Sequence, residues 1–181
     1  MITLVRDRLE SVAADAYGYG AKDTGAMGGG AASAIVSGCG PAILPALRQE
    51  LVKTDRRIGT AVITDSFNLR PRGVKWILHI VSIIAATEQG AWCPEPERLP
   101  HGVETALKLA YGKGCRTVAL AALATGEGRV TPADSARWML LGAAQFRAKY
   151  RADLDLIFCL PTFADNLAFQ AELAAGAGIQ R

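Results

Sequence analysis

Short apolar and β-branched runs alternate along this chain with longer stretches whose apolar residues recur every three or four positions. Ile2 to Val5 and Ala13 to Tyr17 read as short strands on either side of the charged segment Arg6 to Glu10. From Gly18 to Gly30 glycines are too dense for a regular element, so this stretch is expected to be a loop. Helix-forming residues follow from Ala31 to Ser37 and from Pro41 to Lys53, broken at Gly38-Cys39-Gly40, with Pro41 suited to a first helical turn. Gly59 to Thr64 and Val74 to Val81 supply two further strands across the turn-like Asn68-Leu69-Arg70-Pro71-Arg72-Gly73. Glu88 to Pro100, with Pro94, Pro96 and Pro100, reads as a surface loop.

Beyond that loop the alternation is regular. Val103, Ala106, Leu107, Ala110 and Tyr111 repeat at helical spacing up to Gly112 and Gly114, and Thr117 to Ala122 is an apolar strand. Thr131-Pro132 opens a helix whose Ala136, Met139, Leu140, Ala143, Phe146 and Tyr150 share a face. Asp155 to Leu160 is the final strand, a helix from about Asp165 to Ala174 follows, and a frayed tail is expected from about Gly176. Buried strands alternating with amphipathic helices predict an α/β fold with a largely parallel or mixed sheet covered on both faces. In such sheets ligands sit beyond the carboxyl ends of the strands.

Composition narrows the class without changing this picture. The 181 residues suit one domain, expected to span 1–181, and a hydrophobic share of 50% with 20% charged residues is that of a packed globular chain. The longest strongly apolar run, Trp76 to Ala86, contains His79 and is far short of the roughly 20 residues a membrane span needs. The N-terminus lacks the pattern of a secretory signal, so the expected compartment is the cytoplasm. Cys39, Cys93, Cys115 and Cys159 form no CxxC pair and are expected to be free, buried thiols. With two histidines they complete no common zinc spacing, so neither metal nor cofactor is expected. A net charge of +3 gives no case for nucleic-acid binding.

Two segments carry candidate chemistry. Lys22-Asp23-Thr24-Gly25-Ala26-Met27-Gly28-Gly29-Gly30 runs into a helix near Ala31, where close backbone approach and unpaired amides suit an anion. It is neither a P-loop nor a dinucleotide fingerprint. Ala124-Thr125-Gly126-Glu127-Gly128-Arg129-Val130 leaves a strand and precedes a helix, with Thr125 as a hydroxyl donor and Arg129 as a cation for a diphosphate. Together the two segments form a candidate pyrophosphate clamp. Trp76 and Trp138 sit in strand and helix patterns that favour core packing, His79 is expected in the core, and Trp92 lies in the Pro-rich loop.

In order and spacing these motifs resemble the macro domain family from about Ile2 to Leu173. Ala14-Asp15-Ala16-Tyr17-Gly18-Tyr19-Gly20-Ala21-Lys22 stands where family members carry a segment of the type Val-Asp-Ala-Ile-Val-Asn-Ala-Ala-Asn, followed by the glycine run. Gly59 to Thr64, Asn68-Leu69 and Lys75-Trp76-Ile77-Leu78-His79 are similar to the family's central strands and turn. Ala121-Ala122-Leu123-Ala124-Thr125-Gly126 is similar to its Pro-Ala-Ile-Ser-Thr-Gly loop. The resemblance implies a three-layer αβα sandwich around a mixed, mostly parallel sheet, with ADP-ribose or an ADP-ribosylated protein as partner. It also implies Asp7 as acceptor for the adenine amino group, Gly28, Gly29, Gly30 and Ala31 with Thr125, Gly126, Glu127, Gly128 and Arg129 around the diphosphate and distal ribose, and Phe163 with Asn166 near adenine.

The chain departs from the family's hydrolases at two positions. Lys22 stands where they carry an asparagine before the glycine run, and Ala32 where they carry an aspartate after it. A carboxylate able to orient or deprotonate water is thereby lost. Binding of ADP-ribose without turnover is therefore the leading expectation. The alternatives are an ADP-ribosyl hydrolase or O-acetyl-ADP-ribose deacetylase using Lys22, Asp23 and Glu127, and a degenerate pocket serving RNA or protein contact.

Overall fold

A computed structural model describes residues 1–85, 88 and 90–176. The tail expected beyond Gly176 and part of the segment after Ala85 lie outside the described residues. The elements run β1 (Ile2–Val5), β2 (Ala16–Lys22), α1 (Gly30–Cys39), α2 (Ile43–Leu51), β3 (Ala61–Asp65), β4 (Trp76–Ile83), α3 (Leu99–Gly112), β5 (Thr117–Ala121), α4 (Pro132–Tyr150), β6 (Asp155–Cys159) and α5 (Phe163–Ala174). The six strands form one sheet in the order β1-β6-β5-β2-β4-β3, parallel except for β3, which pairs antiparallel with β4. Alternation along the strands divides the core in two: Leu78 and Ile80 of β4 pack with Leu99, Val103 and Leu140 of the α3–α4 side, while Ile77 packs with Ile35 and Cys39 of α1. The result is the three-layer αβα arrangement expected from the pattern of elements. All four cysteines are buried.

The largest departure from the sequence reading concerns β2. The chain from Gly18 to Lys22, expected to be loop, is the continuation of the central strand, and Ala13 to Asp15 precede it. Packing explains why glycines stand there. A Cβ at Gly18 would lie 2.4 Å from Leu120 Cδ2 on β5, and one at Gly20 would lie 2.4 Å from the Ser82 hydroxyl on β4. Those glycines mark close lateral approach of neighbouring side chains, a use of glycine inside strands that composition cannot separate from a turn. Asn68 to Arg72, expected as a plain turn, belongs to a 3₁₀ segment spanning Phe67–Arg72 and closed by Gly73 at φ 92°.

Two polar groups set the position of β2. At its amino end, the Asp15 carboxylate accepts hydrogen bonds from the Arg116 and Thr117 amides at 2.8 and 3.2 Å and from Lys75 Nζ at 2.9 Å, tying β2 to the starts of β5 and β4. Burial raises the Asp15 pKa, but these donors outweigh it and hold the carboxyl below its ordinary value. Deeper in, the Tyr19 hydroxyl meets His79 Nδ1 at 2.7 Å and Thr64 Oγ1 meets His79 Nε2 at 2.8 Å, a polar stitch across β2, β4 and β3. Each hydroxyl can donate or accept, so either neutral tautomer is satisfied. Complete burial pushes the imidazole down to about 3. At the carboxyl end a bulge shifts the register so that Ala21 faces Val81 but Lys22 faces Ile83, leaving Ser82 as the extra residue.

These groups predict the acid limb of stability. His79 has a depressed pKa in the fold, so the unfolded chain binds the additional proton as the pH falls below about 6.5, the ordinary imidazole value, and stability declines from there toward about 3. Asp15 has a depressed carboxylate pKa, so its contribution is present above about 3.9 and is lost as the pH falls through its lower folded value. Urea unfolding from pH 8 to pH 3 is expected to show both declines, whereas Asp15→Asn keeps the first and lacks the second. At neutral pH that substitution costs about 2 kcal/mol, because backbone amides lose a charged acceptor.

Candidate functional site

At the carboxyl edge of the sheet, two lobes of one cleft lie between the start of α1 and the segment after β5. One lobe, about 540 Å³, is bounded by Arg8, Leu9 and Glu10 on one side and by Ser33 and Ala34 of α1 on the other. The second, about 370 Å³, is lined by Gly29, Gly30, Ala32 and Thr125 to Glu127. Gly30, Ala31, Ala121, Cys159, Pro161 and Thr162 line both, so the lobes are continuous, and each volume is in the range of small-molecule pockets. Small residues at the strand ends, Ala121 closing β5, Ala122 after it and Gly20 in β2, keep the floor open.

The walls offer backbone donors. Helix α1 begins after Gly29 with no side-chain cap, so its first-turn amides have no intrahelical acceptor and its dipole favours negative charge at this end. Across the cleft, the segment Ala124–Val130 is folded on itself by hydrogen bonds from Arg129 N to Gly126 O and from Val130 N to Ala124 O. Ala124 and Arg129 both hold positive φ, at 61° and 56°. The amides of Thr125, Gly126, Glu127 and Gly128 meet no acceptor among the described residues. Helices α4 and α5, by contrast, are capped by Thr131 and Thr162, which accept from the Asp134 and Asp165 amides. They need no outside anion. The unpaired donors that line the cleft are thus at the α1 start and at Thr125, Gly126 and Glu127.

The sequence-derived residues fall into three groups. Gly29, Gly30, Ala31, Thr125, Gly126 and Glu127 line the cleft together. Lys22, at the end of β2, lines neither lobe but meets Glu127 there, its Nζ 2.7 Å from Oε2, so two of the three candidate catalytic residues are bound to each other. The third, Asp23, accepts a hydrogen bond from the Ala85 amide at 2.9 Å, while its own amide donates to Ile83 O, and its carboxylate anchors the segment leaving β4.

The remaining residues stand at the margin. Gly28 is exposed beside the α1 start. Gly128 is buried, and its carbonyl accepts from Cys93 N. Arg129 directs its guanidinium toward Gly90. Asp7 is exposed just past β1, its Oδ1 accepting from the Arg8 amide at 2.7 Å. Phe163 is 66% exposed with the Arg6 guanidinium 5.7 Å from its ring centre, whereas Asn166 is buried on α5. Trp92, in the Pro-rich loop, pairs its backbone with Ile84 and has a buried Nε1. Trp76 and Trp138 are partly buried against the core, as expected.

Reading the sequence alone missed the wall contributed by Arg8 to Glu10, by Ser33 and Ala34, and by Cys159, Pro161 and Thr162. The Thr162-x-x-Asp165 spacing was a usable signal, since it marks a capped helix start directly after a strand. The Cys159 thiol is no nucleophile here, because burial pushes its pKa up to about 12.

With this geometry in hand, comparison with known proteins is decisive on ancestry. The profile described as Macro domain matches residues 20–139. The chain belongs to the macro domain family. It is 34% identical over 136 residues to an uncharacterized protein of Fusobacterium nucleatum, covering 72% of this chain and 70% of that one. It is 35% identical over 140 residues to a macro domain-containing protein of Streptomyces nogalater, covering 75% and 73%. Among solved structures, the fold is shared with the Oceanobacillus iheyensis macrodomain with ADP, at TM-score 0.79 and 22% identity over 95% of this chain and 89% of that one. It is shared also with the Trypanosoma brucei macrodomain in complex with ADP-ribose, at TM-score 0.74 and 20% identity over 95% and 68%.

Within this macro domain, the second loop separates glycines by role. A Cβ at Gly128 would lie 2.5 Å from Ala124 Cβ and 2.6 Å from its carbonyl oxygen, whereas one at Gly126 meets nothing within 4 Å. Gly128→Ala is expected to cost about 1–3 kcal/mol in urea unfolding, and Gly126→Ala to change stability by less than about 0.5 kcal/mol.

Proposed function

We propose that this macro domain binds ADP-ribose, free or attached to protein, with the diphosphate over the start of α1 and the amides of Thr125 to Glu127. The observation that carries this reading is the convergence of two sets of unpaired backbone donors on one cleft of suitable volume. The larger lobe, between Arg8 to Glu10 and α1, takes the adenosine; Asp7 and Phe163, both exposed, neighbour its lining residues Arg8 and Thr162 in the chain. The solved macrodomains with ADP and with ADP-ribose support the same choice of ligand.

The reading is binding rather than turnover. Ala32 and Lys22 stand where the family's hydrolases carry their aspartate and asparagine, Lys22 and Glu127 neutralise each other, and Asp23 is engaged by an amide. None of the three is placed as an independent base or nucleophile. In this reading the cytoplasm is where the chain meets its ligand.

Titration calorimetry and thermal unfolding test the proposal. ADP-ribose at about 100 times its dissociation constant is expected to stabilise the fold by about 2.7 kcal/mol. Ala31→Glu, which places a carboxylate where both lobes meet, is expected to weaken binding by more than about tenfold. No heat and no change in melting temperature with ADP-ribose would refute it.

A further inference from the structure

An amide-lined cradle for a diphosphate leaves one feature unexplained: the carboxylate of Glu127 within it. A fixed negative charge there opposes an anionic ligand. Its immediate surroundings nonetheless favour an anion. Oε2 lies 2.7 Å from the Lys22 ammonium. Oε1 lies 3.4 Å from the point a Cβ on Gly29 would occupy, beside the uncapped start of α1. The two partners differ in exposure: the Lys22 side chain is 20% exposed and that of Glu127 is 47% exposed. Lys22 is held at the carboxyl end of β2 beside its bulge, whereas Glu127 belongs to an exposed loop that lines the cleft.

We propose that Glu127 is an internal counter-ion: its carboxylate competes with a ligand phosphate for Lys22 and for the start of α1, and an incoming phosphate replaces it there. Lys22 then pairs with the ligand. The pair sets specificity, because a neutral nucleoside gains nothing by displacing a carboxylate from an ammonium, whereas a phosphate exchanges one ion pair for another and adds the amide contacts. With Glu127 half exposed, the pair is weak enough for that exchange, on the order of 1 kcal/mol.

The identity of the ligand rests on the ADP-ribose reading above; the exchange at Lys22 does not. The test therefore uses two probes, ADP-ribose and inorganic pyrophosphate, titrated into the wild-type chain, Glu127→Gln and Lys22→Met at low and high salt. Glutamine keeps the shape of Glu127 and removes its charge, and unliganded melting curves check that each variant folds. Glu127→Gln is expected to bind both probes about five- to tenfold more tightly at low salt, with the gain shrinking at high salt. Lys22→Met is expected to bind both more weakly by a similar factor. If Glu127→Gln binds pyrophosphate more tightly while no form of the chain binds ADP-ribose, the ligand reading fails and the counter-ion assignment stands. If Glu127→Gln weakens ADP-ribose binding, Glu127 is a ligand contact and the assignment is overturned. Unchanged affinity for both probes, or no binding of either, overturns it as well.

Discussion

The Asp15 carboxylate, accepting from the Arg116 and Thr117 amides and from Lys75, is the constraint on which the rest of the molecule depends. Strand β2 lies between β5 and β4, and both walls of the cleft are measured from it. A slip of one residue would turn Tyr17 and Tyr19 to the wrong layer and bring side chains where Gly18 and Gly20 now admit Leu120 and Ser82. Asp15 closes the amino end of the strand, and the Tyr19–His79–Thr64 stitch holds its middle. With those two points set, the carboxyl end must deliver Lys22 and the glycine run to the sheet edge.

At that edge, backbone and charge play separate parts. The cradle is made of backbone: a helix start without a side-chain cap and a loop whose amides meet no acceptor among the described residues. Side chains then modify it. Lys22 adds a cation, Glu127 neutralises that cation, and Ala32 contributes no functional group. In the binding reading proposed above, backbone geometry holds the diphosphate and this one ion pair tunes the affinity.

Several features of this arrangement were legible in the sequence. Apart from β2, apolar runs and period-3.6 patterns located the strands and α-helices to within a few residues, because burial against a covered sheet imposes those patterns locally. The motif order pointed to the macro domain family, and the three consecutive glycines before a helix marked one wall of the cleft. The strand formed by Gly18 to Lys22 was not legible, because glycine serves a turn and a crowded strand equally and only the neighbours distinguish them. In the sequence the wall from Arg8 to Glu10 shows only as a charged separation between strands. Its place in the cleft follows from β1 lying at the far edge of the sheet, beside β6.

By itself, then, the sequence determined the class of fold, the family and the two backbone loops able to hold an anion, since each depends on contiguous residues. Tertiary structure alone decided that Lys22 and Glu127 neutralise each other, that Asp23 anchors a segment, and that Arg129 turns toward Gly90. Those outcomes depend on distances between elements remote in the chain, set by strand order and by the bulge at the end of β2, and no local pattern encodes such distances. The glycine loops were visible as loops from the start; what the fold added is the ion pair between them.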